Sequence, residues 1–281
     1  MTSVFLFQLA AGVMLMAALT RSADVSPRYL RLLARVCAAL MVAGVAARMA
    51  ERGWRPALNG GDGLAVLAAA AFSVGWLAAS GAAASRGRAV RRVWPLVGAA
   101  FALAAAAGGV LSGASEPPDA AGDFPAGLIY GSGGDTAVRR FLATGVSLGL
   151  GAALLGAVTA GMLLGHRYLT DRDMTIAPLR RMTGLFGAAV AARIAWVGVI
   201  LWPVATAGAP PGVDATWLWL MVGLRVGAGL IGTGAFAYMT WDCVRRRSTQ
   251  SATGILYLAM VFAFTGELTA QYLLRTRGLA V

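Results

Sequence analysis

The chain has 281 residues, 58% of them apolar and 13% charged, with a mean hydropathy of +0.71. That composition excludes a disordered chain or an ordinary water-soluble domain, and its repeated apolar stretches of roughly 20 residues have the length that crosses ~30 Å of hydrocarbon. The net charge of +12 comes wholly from arginines scattered through short segments beside those stretches, a pattern that excludes a basic nucleic-acid-binding face and favours anionic lipid head groups as partners.

Eight spans are expected, over residues 4–20, 29–50, 64–84, 93–111, 141–164, 182–204, 217–240 and 252–274. The fold class is therefore an all-α membrane bundle, one transmembrane domain over residues 1–281. The first run is expected to stay as a span, because no basic residue precedes it and Arg21 follows it. With the N-terminus outside, the inner connections hold Arg28, Arg31, Arg86, Arg88, Arg91, Arg92, Arg167, Arg172, Arg180, Arg181 and Arg245 to Arg247, whereas outer segments collect acids such as Glu51, Asp62, Glu116 and Asp123. This positive-inside asymmetry puts both termini outside, in a cytoplasmic (inner) membrane of bacterial type.

Short connections imply sequence-adjacent antiparallel packing. Residues 112–138 are too polar to insert and are expected as an outer loop. Gly145 with Gly149, and Gly223 with Gly227, have the small-xxx-small spacing of close helix crossings. Trp54, Trp202, Trp217 and Trp219 fall at outer boundaries and Trp94 and Trp241 near inner ones, as interfacial belts do, while Trp76 and Trp196 are expected to be buried. Cys37 and Cys243 are too far apart in sequence and too few for a disulfide framework, a zinc site or an iron–sulfur cluster.

Charge inside the spans carries the chemistry. Arg35 lies close enough to the inner boundary to snorkel. Arg193, Arg225 and Glu267 do not, and counting at 1.5 Å per residue puts all three ~12–15 Å below the outer ends of their helices. An unpaired charge at that depth costs a few kcal/mol or more, so Glu267 is expected to pair with Arg225 or with Arg193. Gln271 lies one turn from Glu267, Thr265 and Thr269 are near it, and Trp196 lies one turn from Arg193, where a cation–π contact is expected. Such a set either fixes helix register or forms a polar pocket able to hydrogen-bond a quinone and take up a proton.

A second cluster gathers at the inner boundary: His166 and Arg167 after the fifth span face Arg245, Arg246 and Arg247 before the eighth. Ser248, Thr249 and Ser251 are placed to cap that last helix. Lipid phosphate or a docked protein suits the cluster. One histidine cannot supply a bis-imidazole haem centre, so neither haem nor an iron–sulfur cluster is expected in this chain, and no metal site. No HExxH, Walker loop, Ser-His-Asp set or strand-borne GxGxxG is present.

An eight-span bundle with outer termini, little extramembrane mass and a last helix containing Gly266, Glu267, Leu268 and Tyr272 resembles the membrane-anchor subunits of the DMSO reductase and polysulfide reductase class. The resemblance implies a respiratory-type complex with partner redox subunits, a quinone or quinol as cofactor, and Glu267 as the residue that accepts its proton. Two other classes fit the residues. One is a non-catalytic scaffold or assembly subunit; the other is a transporter in which Arg193 and Arg225 bind a small anion, though no inverted repeat supports it.

Overall fold

A computed structural model describes residues 1–20, 25–52, 63, 66, 67, 70, 73, 88–111, 136–170, 175–207 and 215–281. Among these residues all regular structure is helical. We number the helices α1 (Thr2–Leu19), α2 (Pro27–Arg52), α3 (Arg88–Leu111), α4 (Thr136–Thr170), α5 (Ala177–Ala207), α6 (Ala215–Arg245) and α7 (Thr249–Arg277). Six of them, all but α3, are long and apolar enough to cross a membrane. The chain is a multi-pass helical membrane protein.

The expected span at 64–84 lies almost wholly outside the described residues, as does the 112–138 loop up to residue 135. From Thr136 onward that loop is already the first turn of α4. Residues 93–111 do form a helix, but its apolar part, Pro95–Gly108, is shorter than a full crossing. Eight crossings are therefore not what the described residues show.

Packing is less sequential than short connections suggest. Helix α1 sits in the centre, against α2, α3 and α4, and α4 in turn packs on both α5 and α7. The cause is compositional: α1 is apolar around its whole circumference, and a helix without a polar face is the one a bundle encloses. Its two buried polar residues, Ser3 and Gln8, are both bonded. Ser3 joins the amino nitrogen of Met1 on Glu51, with the Met1 nitrogen 2.7 Å from Oε1 and Ser3 Oγ 2.7 Å from Oε2, which ties the start of α1 to the end of α2.

Close crossings fall elsewhere than the glycine spacing predicts. Among the described residues, a Cβ at Gly145, Gly149, Gly223 or Gly227 would meet nothing within 4 Å, so those glycines make no helix contact there. Instead Gly12 of α1 lies against the backbone of Ala152 and Gly156 on α4, and Gly229 of α6 against Gly266 of α7. At both crossings backbone touches backbone, which only a residue without a side chain permits.

Helix α6 contains a π-helical stretch, Arg225–Gly232, whose sequence RVGAGLIG is poor in helix formers. Hydroxyls within the spans are mostly satisfied by their own helix: Thr183 donates to Leu179, Thr240 to Phe236, Thr253 to Thr249 and Thr269 to Thr265. The outer surface is apolar, with Leu142, Val199, Ile231 and Val261 all more than half exposed, as suits lipid.

Candidate functional site: a buried Arg–Glu–Arg centre

Five helices bring one polar side chain or more to a common level. Glu267 of α7 and Arg225 of α6 each lie ten residues, ~15 Å, from the same end of the bundle, and Ser147 of α4 is at a similar depth. Arg193 lies near the middle of α5. All are buried.

Glu267 takes both arginines rather than one. Its Oε1 accepts from Arg193 Nε at 3.0 Å and from Arg225 Nη2 at 2.9 Å, and its Oε2 accepts from Arg193 Nη2 at 2.9 Å. The Arg193 contact is a two-pronged guanidinium–carboxylate fork, the strongest geometry such a pair offers. Arg193 spends its remaining reach on Ser147 Oγ at 2.9 Å and on the backbone oxygen of Val281 at 3.0 Å. Arg225 is less complete: among the described residues its Nε and Nη1 have no hydrogen-bond partner.

Around the charges lies a shell of neutral groups. Gln271 Nε2 donates to Gln8 Oε1 at 2.6 Å, and Gln8 Nε2 donates to the Leu148 carbonyl at 3.1 Å, so α1, α4 and α7 are laced together beside the carboxylate. Among the described residues Gln271 Oε1 is buried without a partner. Gly151 makes the approach of α4 feasible, since a Cβ there would run into both the Glu267 carboxylate and the Gln8 amide. Gly278, in the left-handed conformation at φ 67°, turns the chain back after α7 so that Leu279, Ala280 and Val281 are buried over the centre.

The structure redistributes the expected pocket. Trp196 does not spend its polar edge on Arg193; its Nε1 donates to the Ala280 carbonyl at 2.9 Å. A cation–π contact is made elsewhere, by Arg180 over Trp241 at 5.8 Å. Thr265 and Thr269 bond back to Val261 and Thr265 of their own helix and turn no donor toward the carboxylate. Gln8, Ser147, Gly151 and Val281 belong to the centre and were not anticipated. Gln8 had a signal, an amide alone in an apolar run; the others had none. Arg48 of α2 is buried and donates from Nη1 to the Ala105 carbonyl of α3 at 3.0 Å. Arg35 is exposed on α2, in keeping with snorkelling.

At the opposite end, α4 and the α6–α7 turn do face each other. They line a cavity of about 380 Å³ that includes Tyr168, Ile176, Arg247, Ser248, Thr249 and Gln250. His166 and Arg245 to Arg247 are exposed around it, Arg167 is half-buried, and Arg246 Nε pairs with Asp242 at 2.8 Å. Arg247 itself has φ 58°, a conformation costly outside glycine. Ser248 is the N-cap of α7, but its hydroxyl bonds to Ser251 Oγ at 2.9 Å rather than to the helix backbone. Cys37 and Cys243 are both free thiols. No group of three or more His, Cys, Asp or Glu among the described residues is arranged to hold a metal.

No protein-family model, curated protein or solved structure matches this chain. The likeness to reductase anchor subunits therefore rests on its own residues alone.

Proposed function

We propose that this chain is a membrane anchor or scaffold subunit, and that the Arg193–Glu267–Arg225 centre is first of all architectural. One observation carries this: the carboxylate and both guanidiniums are at most 1% exposed and closed upon one another, with three N–H donors already on the two carboxylate oxygens. A quinol hydroxyl would have to enter this closed, buried cluster to reach Glu267. The exposed arginines around His166 and Arg247 are the surface on which anionic lipid or a partner subunit docks, and their excess over acids favours the cytoplasmic side of a bacterial-type inner membrane.

A second reading, quinone chemistry in a respiratory-type complex, keeps one specific support. Arg225 has open donors and Gln271 an open acceptor, the complementary groups that a quinone carbonyl and a quinol hydroxyl need. In that reading Arg225 meets the ligand and Glu267 positions Arg225.

Purification of the full chain from its native membrane in mild detergent, followed by quinol oxidation with an artificial acceptor, separates the two. Stoichiometric partners without quinol turnover support the anchor. Turnover that falls on Gln271→Leu, with the complex still assembled, transfers the assignment to the quinone reading. A lone protein without partners overturns both.

A further inference from the structure

The polar centre is unevenly satisfied, and the imbalance sits on one residue. Two guanidiniums face one carboxylate, so the three side chains carry one positive charge in excess. Arg193 answers its share with Ser147 Oγ and the Val281 oxygen. Among the described residues Arg225 answers with a single bond to Glu267 and leaves Nε and Nη1 open, although the residue is 0% exposed. Buried guanidinium N–H groups without an acceptor are costly in hydrocarbon surroundings, where no bulk water substitutes.

The local backbone keeps side chains away from those donors. Arg225 opens the π-helical stretch of α6, a helix irregularity often found at ligand sites. A Cβ on Gly266 would come within 3.0 Å of Arg225 Nη1, and one on Gly229 within 3.3 Å. Glycine at both positions thus leaves the guanidinium edge bordered by backbone rather than by a larger side chain. The α6–α7 backbones cross closely beside it, at Gly229 and Gly266.

From these observations we infer that Arg225 Nε and Nη1 hold a small monovalent anion of the halide class, a structural counter-ion within the membrane. It accepts the hydrogen bonds Glu267 does not take and offsets the excess charge. The inference goes beyond the anchor assignment and stands on the site alone, so the two fail separately: partner loss tests the anchor, and anion dependence tests the counter-ion.

The test uses the full chain in detergent or nanodiscs at constant ionic strength, replacing gluconate by chloride or bromide. The expected result is a saturable rise in the unfolding midpoint of about 2–4 °C once halide is several-fold above its Kd, absent with gluconate. Arg225→Gln should abolish the rise. No halide-specific stabilisation of the unsubstituted protein overturns the proposal, and a rise that persists in the variant overturns the location. If Arg225→Gln does not fold, crystals grown in bromide decide: an anomalous peak in hydrogen-bonding contact with Arg225 Nε or Nη1 supports the site, and a water or nothing there refutes it.

Discussion

Removing the charge of Glu267 strands two buried guanidiniums at once, which makes Glu267→Gln the most informative single change in the chain. The amide keeps the volume but turns an NH2 toward donors, and breaking a buried pair typically costs about 3–5 kcal/mol. The expected outcome is a large fall in the unfolding midpoint and in the yield of folded protein, with Arg193→Gln falling further than Arg225→Gln because Arg193 carries four of the contacts and Arg225 one. A variant as stable as the original protein would show that the centre does not hold the bundle. The charged members of this site were legible in the sequence because a charge inside an apolar run must find a partner, and depth along a helix is countable from its ends. Its neutral members were not. Ser147, Gly151 and Val281 look like any small residue in an apolar segment, and counting residues reports depth but not which way a side chain faces around the helix.

At the scale of helices, the same limit explains why the glycine pairs were misread. Gly145 with Gly149 and Gly223 with Gly227 have the right spacing, yet they face no neighbour among the described residues, while Gly12, Gly156, Gly229 and Gly266 make the backbone contacts. Spacing establishes that a face is small, not that another helix lies on it; in a chain with 37 glycines the pattern recurs freely. A pair of substitutions separates the two kinds. Gly156→Leu should destabilise by more than the ~1–3 kcal/mol of ordinary overpacking, because the groove it fills is occupied by the backbone of α1. Gly145→Leu should change stability by about 0.5 kcal/mol or less, as open surface positions do. Thermal unfolding of both in one detergent checks this, and equal losses would mean that the Gly145 face is covered after all. The π-helical stretch of α6 was equally hidden, since its glycines predict a weak helix without stating how the weakness is resolved.

For the whole molecule, helix content and membrane residence followed from hydropathy, because a run of apolar residues long enough to span hydrocarbon has no other low-energy solution for its backbone polar groups. Central placement of α1 did not follow from chain order, as it depends on which helix lacks a polar face. Orientation is the remaining global property, and here charge gives a definite expectation. Helix α7 runs from Thr249 to Arg277, so Arg246 and Thr276 lie beyond or near opposite ends of one span. The cluster of Arg245, Arg246 and Arg247 stands at the first end, exposed, and arginine-rich connections resist translocation. At the other end exposed Trp202, Trp217 and Trp219 mark an interface, and Trp217 Nε1 donates to Tyr272 Oη at 3.3 Å. In a Cys37→Ser, Cys243→Ser background, a cysteine placed at Thr276 should react with a membrane-impermeant maleimide on intact cells. One placed at Arg246 should react only after permeabilisation. The reverse pattern would invert the orientation, move the basic cavity of about 380 Å³ to the outer face, and with it remove the expectation that lipid or partner subunits dock there from the cytoplasm.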